Sequence, residues 1–209
     1  MSKLVKVSSI CEIKKGKKVN ITENKSKKTV PYLLIDTLRG SEPTFLTEDS
    51  NYTEAEENDI LMVFDGANSG LVGTGLKGAV GSTVARIRPS EKIEGSYMKY
   101  FLQSSFLFLN SDMKGSAIPH VKRDKLINLS IYLPEKKEQL KIVNEIEKQF
   151  TRLDETIKSL KLTKQKLEIY KKGVLQNIFG DGKEGNVQLI VKDLGDVITG
   201  TTPKTAEKE

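Results

Sequence analysis

One histidine and one cysteine in 209 residues leave little material for nucleophilic or metal chemistry. His120 lies in GSAIPHVKRDKL, residues 115–126. A serine hydrolase would need it as the base. The nearby hydroxyl is Ser116, and no Gly-x-Ser-x-Gly turn surrounds it. Cys11 stands alone, so no disulfide framework and no Cys-based zinc site can form. Glu12-Ile13-Lys14 has the carboxylate and lysine of many metal-dependent nucleases, but residues 1–11 contain no Asp to share the metal. Residues 73–78, GTGLKG, fit G-x-G-x-x-G. A dinucleotide site requires a helix to begin on those glycines. The next residues are AVGSTVARIRP, β-branched and closed by Pro89, so a glycine-rich hairpin loop is expected instead. There is no Gly-Lys-Ser/Thr phosphate loop and no Asp/Asn-Pro-Pro-aromatic signature of adenine N6 methyltransferases. No catalytic residue, metal site or cofactor of its own is expected for this chain.

Binding chemistry is better represented. The formal net charge is +6 and the pI about 9.2, which suits a polyanionic partner such as nucleic acid; ordinary lysine-rich surface composition would give the same numbers. Lys14, Lys15, Lys17 and Lys18 surround Gly16 in an expected turn, and Lys25, Lys27 and Lys28 come soon after. Lys114, His120, Lys122 and Arg123 form a second basic group around Gly115, with the Ser116 hydroxyl among them. Phosphate contacts draw on such lysines, arginines and small hydroxyl residues in loops. The loop DGANSG, residues 65–70, adds Asn68 and Ser69, side chains able to hydrogen-bond to DNA. A solvated loop surface is the alternative.

These groups must be positioned by something. Hydrophobic residues make up 37% and charged residues 30%, which suggests a folded part plus a long solvated element. Residues 1–134 read as a mixed α/β domain. Strands are expected at Leu4–Ile13, Val30–Asp36, Ile60–Phe64, Ala79–Ile87 and Leu126–Leu133, with a helix over Ser96–Asn110. After Pro134 the character changes. From Lys136 to Phe179 there is no proline and one glycine, Gly173. Val143, Ile146, Phe150, Leu153, Ile157 and Leu160 are spaced in steps of 3 and 4, and Leu167, Val174 and Ile178 keep the register. That is a heptad pattern with Lys164 and Lys171 on a positions. Such a helix spans roughly 66 Å at 1.5 Å per residue, too long to bury its stripe on so small a domain. It either pairs with another long helix or folds back, with Gly173 the expected break. Residues 181–209 read as a linker and a stub, expected to be disordered: VKDLGDVITGTTPK (191–204) is a short match to VKVSSICEIKKGKK (5–18). The N-terminus lacks a signal-peptide core, and no run approaches the ~18 apolar residues of a membrane span, so a soluble cytoplasmic protein is expected.

The stretch GSAIPHVKRDKLINLSIYLPEKKEQLKIVNEIEKQFTRLDETIKSL, residues 115–160, resembles the junction in specificity (S) subunits of type I restriction-modification systems. There a Gly-Ser/Thr-x-Ile-Pro-x-Val segment closes a target recognition domain, a strand ends in Leu-Pro, and a Glu-Gln pair, here Glu138-Gln139, opens a long helix. Leu175 to Gly180 is similar to the end of that helix, and LGDVITG to the start of a second recognition domain. The resemblance implies an α+β chain: a mixed α/β target recognition domain (1–134), then a long coiled-coil-forming helix (135–180), then the stub. It also implies a non-catalytic role, with double-stranded DNA, adenine N6 methyltransferase (M) subunits and a restriction/translocase (R) subunit as partners. With one recognition domain and one helix, a homodimer through antiparallel long helices would restore the family's layout. A coiled-coil scaffold that does not read DNA, or an inactive truncated fragment, are the alternatives.

Overall fold

Val7 and Ile10 are both apolar and three residues apart. On a continuous strand they would face opposite sides of the sheet. The chain instead makes one 3₁₀ turn at Val7–Ser9, which carries both side chains inward to 0% and 3% exposure. The Ser9 hydroxyl donates to the Lys6 carbonyl at 2.7 Å to hold the turn. The expected strand Leu4–Ile13 therefore becomes two, β1 (Lys3–Lys6) and β2 (Cys11–Lys15). The structure, a computed structural model, describes residues 3–110, 119–180 and 195–196. Lys114, Ser116 and all of the expected linker and stub except Gly195 and Asp196 lie outside the described residues.

The remaining elements are, in chain order, β3 (Val30–Leu33), α1 (Ile35–Leu38), β4 (Leu46–Thr47), β5 (Glu54–Ala55), β6 (Ile60–Val63), β7 (Val72–Thr74), β8 (Gly78–Val80), β9 (Val84–Pro89), α2 (Gly95–Ser104), α3 (Phe106–Leu109), α4 (Arg123–Asn128), β10 (Ser130–Leu133) and α5 (Lys136–Phe179). An antiparallel sheet runs β2-β9-β6-β7, and a mixed sheet runs β4-β3-β8-β5 with β3 and β8 parallel. β1 pairs with β10 in a separate ribbon, Lys3 opposite Leu133.

β6 explains why the two sheets are needed. Its residues Ile60, Leu61, Met62 and Val63 are all at most 1% exposed, so both of its faces are covered. Ile60 and Met62 belong to the larger core, with Met98 and Leu102 of α2 and Val121, Leu126 and Ile131. Leu61 joins the smaller core of Leu33, Ala55, Val80 and Val84.

The expected strand Ala79–Ile87 also divides. β8 belongs to the mixed sheet and β9 to the antiparallel one, and the chain crosses between them at Gly81. A Cβ on Gly81 would lie 2.6 Å from Leu34 Cδ2 and 2.8 Å from the Leu33 carbonyl oxygen, so only glycine fits the crossing. β7 and β8 lie in different sheets, so residues 75–77 are a crossover loop rather than the expected hairpin.

The helix expected over Ser96–Asn110 breaks at Ser105, whose hydroxyl donates to the Phe101 carbonyl at 2.9 Å and competes with the helical bonding there. The strand expected over Leu126–Leu133 begins as α4, because Leu126 and Ile131 must both reach the core.

The chain divides into two compact units, Met1–Thr151 and Arg152–Glu209. The first includes the opening turns of α5, where Gln139 and Val143 are buried. Phe150 stacks edge-on against Tyr100 at 5.8 Å, and the Tyr100 hydroxyl donates to Glu147 at 3.3 Å. α5 is continuous through Gly173. In the second unit its apolar residues stand exposed, Leu153 at 56%, Leu160 at 64% and Leu167 at 62%. Among the described residues no helix is long and apolar enough to cross a membrane.

Candidate nucleic-acid interface

In place of the expected turn, Lys14 and Lys15 end β2, and Lys17 and Lys18 follow in an irregular segment anchored through Gly16. Gly16 N–H donates to the Val84 carbonyl at 2.8 Å, and Lys17 N–H to Val80 at 3.2 Å. A Cβ on Gly16 would meet the Gly81 carbonyl oxygen at 2.1 Å. The segment at Gly16 thus lies flat on the crossing between β8 and β9. Its backbone is held inward, and Lys14, Lys15, Lys17 and Lys18 are exposed. The Tyr32 hydroxyl donates to the Lys17 carbonyl at 3.1 Å and accepts from the Ser82 N–H at 3.2 Å. Lys17 Nζ bonds Asn51 Oδ1.

Lys15 reaches the second candidate element. Its Nζ lies 2.7 Å from Asp65 Oδ2, at the head of the β6–β7 loop. That loop is bonded in turn to the segment carrying the histidine. Val121 N–H donates to Phe64 O at 2.8 Å, Gly66 N–H donates to Pro119 O at 2.9 Å, and Asp65 and His120 form an antiparallel bridge. His120 is exposed at this junction while Val121 beside it is 3% exposed. Arg123, at the start of α4, donates from Nη2 to the Ile13 carbonyl at 3.2 Å. Lys15, the 66–70 loop, His120 and Arg123, expected from three separate stretches of sequence, are therefore neighbours. Lys122 is exposed on the same segment.

The loop itself is rigidly built. Gly66 and Gly70 have φ of 106° and 89°, left-handed values that favour glycine. Ser69, expected as a DNA contact, points the other way. It is 1% exposed, its hydroxyl donates to Asn110 Oδ1 at 3.0 Å, and Asn110 Nδ2 returns a bond to the Ser69 carbonyl at 3.0 Å. Burial behind the loop makes it an anchor, out of reach of a ligand. Asn68 is half-buried, and its Oδ1 accepts from Arg39 Nη2. Arg39 was not legible as a site residue. The signal available was an arginine at a helix end with a glycine next to it, Gly40, at φ 96°.

Other residues singled out by the sequence have partners within the fold. Glu12 of the nuclease-like Glu-Ile-Lys is engaged by Arg86 Nη2, and Arg86 Nη1 donates to Glu54 O at 3.0 Å. No group of three or more His, Cys, Asp or Glu that could hold a metal occurs among the described residues. Burial pushes the Cys11 thiol up to about 12, so it carries no thiolate near neutrality. The G-x-G-x-x-G stretch leads into β8 and no helix starts on it. A separate groove is lined by Glu56, Glu57, Asp59 and Glu94 with Arg88 and Lys99. Asp59, 2% exposed, holds Arg88 through bonds of 2.7 and 2.6 Å and keeps that guanidinium's pKa above its ordinary value. With its acids in excess, that groove is a poor seat for phosphate.

Two sheets, the helices α2–α4 and the long α5 are similar in fold to a little under half of solved S-subunit chains of type I restriction-modification systems. A chain from a structure of complex assembly and conformational transition of the type I R-M system superposes with a TM-score of 0.73 at 19% identity, covering 86% of this chain and 46% of that one. The HsdS subunit from Thermoanaerobacter tengcongensis gives 0.67 at 19% identity, covering 86% and 45%. The S subunit from M. genitalium gives 0.53 at 18% identity, covering 86% and 46%. The chain belongs to the family of type I restriction modification DNA specificity domains, whose model matches residues 2–169. It is 29% identical over 197 residues to the type I restriction enzyme MjaVIII specificity subunit of Methanocaldococcus jannaschii, covering 93% of this chain and 45% of that protein. The chain thus spans about half the length of the relatives it matches.

Proposed function

We propose that this chain is a non-catalytic DNA sequence-recognition subunit of a cytoplasmic type I restriction-modification complex. Residues 1–134 act as the target recognition domain and read one half of a split site. The observation that carries this reading is the convergence of Lys15, His120 and Arg123 with the 66–70 loop on one surface, in a chain of the DNA specificity family. The lysines and Arg123 contact phosphates and fix register, and the loop approaches base edges. Lys114 and Ser116, outside the described residues, are proposed from their residue types as further DNA contacts.

Residues 135–180 form the helix that spaces and docks. Phe150, Leu153, Ile157, Leu160 and Leu167 line an exposed apolar row on α5, which pairs antiparallel with the same row of a second copy. Ile146 is half-buried and Val143 4% exposed within the first unit, so the paired row begins after them. A twofold dimer reads two inverted half-sites. Methyltransferase subunits held by the helices then modify adenine, and a restriction/translocase subunit completes the complex. No cofactor binds this chain itself.

The test is single-molecule sequencing of DNA from cells carrying the partner methyltransferase, with and without this chain. A methylated-adenine motif that needs the chain, with two inverted halves around a fixed gap, is expected. An asymmetric motif would refute the self-pairing. No motif would refute DNA reading and leave the exposed row of α5 to a scaffold role.

A further inference from the structure

Arginine can read a base or hold a phosphate, and what the protein does with each guanidinium separates the two roles. The first unit contains Arg39, Arg86, Arg88 and Arg123. Arg86 is 6% exposed and bonded to Glu12 and Glu54 O; Arg88 is clamped by Asp59; Arg123, exposed, gives one N–H to the backbone carbonyl of Ile13, so what sets Arg39 apart is that its partner is a side chain of the 66–70 loop. Arg39 is exposed, and its side chain meets an uncharged acceptor, Asn68 Oδ1. One N–H is used there, and the guanidinium keeps its charge and the rest of its five donors.

Both ends of that contact are held. The Arg39 backbone N–H closes α1 on Ile35 O and Asp36 O, both at 3.1 Å, and Gly40 ends the helix with φ 96°. Asn68 lies in a loop fixed by Ser69, Asn110 and two left-handed glycines. A planar fork restrained before binding loses little entropy when it docks. The bidentate match of such a fork is guanine, through O6 and N7 in the major groove.

We infer that Arg39 is a specificity-determining residue that reads a guanine, and that Asn68 is its positioning residue. The inference rests on the DNA-reading function proposed above. It assigns to Asn68 a buttressing role in place of direct base contact.

The test uses the full chain with its methyltransferase partner in cells and compares methylation motifs of wild type, Arg39→Lys, Arg39→Ala and Asn68→Ala. Arg39→Lys keeps the charge and removes the fork. It is expected to relax one G in each half-motif, lowering discrimination there by about tenfold to a hundredfold, with the other positions and the gap unchanged. Asn68→Ala is expected to relax the same position to a smaller extent. An unchanged motif, methylated more slowly at every site, would make Arg39 a phosphate contact and overturn the inference. So would relaxation at different positions by the two residues. If Arg39→Ala lowers the melting temperature of the purified chain, Arg39→Lys and Asn68→Ala still decide. A wild-type chain that directs no motif overturns the functional reading itself, an outcome distinct from an intact motif insensitive to Arg39.

Discussion

Replacing Gln139 with leucine would remove three hydrogen bonds while nearly preserving side-chain volume. Gln139 is 0% exposed at the start of α5. Its Oε1 accepts from Glu94 N–H at 2.8 Å, and its Nε2 donates to Lys92 O at 3.1 Å and Pro134 O at 2.8 Å. One side chain thus ties the entrance of α2, the exit of β10 and the first turns of α5. Leucine strands one N–H and two carbonyls in a dry site, at about 1–3 kcal/mol for each group that stays unsatisfied. Extra apolar burial offsets about 1–2 kcal/mol. A net loss of about 3–5 kcal/mol is expected, a large share of the ~5–15 kcal/mol that holds a domain together. The melting temperature should fall on the order of 10 °C. The chain has no tryptophan, so near-UV circular dichroism of its tyrosines is the readout, with hydrogen exchange at the Glu94 amide as the local probe. Gln139→Glu still accepts from Glu94 but turns a second oxygen toward two carbonyls. It should be more harmful at neutral pH than in mild acid, where a protonated carboxyl regains a donor. A Gln139→Leu protein melting within about 2 °C of wild type, with Glu94 exchange unchanged, would refute the reasoning.

Charge reversal of Lys14, Lys15, Lys17 and Lys18 to Glu should weaken DNA binding across all sequences and reduce the slope of log affinity against log salt by about 1 for each phosphate no longer neutralised; a slope equal to wild type would remove these lysines from the interface. Leu153→Glu with Leu160→Glu, both exposed on α5, should leave monomers in light scattering, and persistent dimers would contradict pairing through that row. Gly16→Ala should destabilise the fold by at least ~1–3 kcal/mol in urea unfolding, because its methyl would overlap the carbonyl oxygens of Gly81 and Val80 at 2.1 and 2.4 Å. Cys11 should alkylate slowly at pH 8. Its folded thiol sits near pKa 12 against an ordinary 9.0, so the unfolded chain releases its proton first; this contribution to stability is intact below pH 9 and disappears as pH rises from 9 to 12, which urea titrations at several pH values would measure.

Local period and residue inventory were enough to read part of this protein without its fold. The heptad row and the absence of proline make Lys136–Phe179 a single helix wherever it packs. One Cys and one His are all the soft and imidazole donors the chain has, which is why the sequence pointed to binding rather than metal or thiol chemistry. The Gly115–Leu160 stretch carried enough of the family's pattern to name the fold. Tertiary structure decided which strands meet. Leu4–Ile13 and Ala79–Ile87 each look like one strand, because both halves are β-forming, but each half belongs to a different sheet. The break depends on what Gly81 crosses and on where Val7 and Ile10 find a core. The site divides in the same way. Lysines around a glycine could be seen as a basic turn, whereas the pairings Lys15–Asp65, Asp65–His120 and Arg39–Asn68 join residues far apart in the chain. The inward turn of Ser69 depends on Asn110, forty-one residues later. Side-chain direction in a loop is set by the partner that satisfies it, and that partner is supplied by the fold.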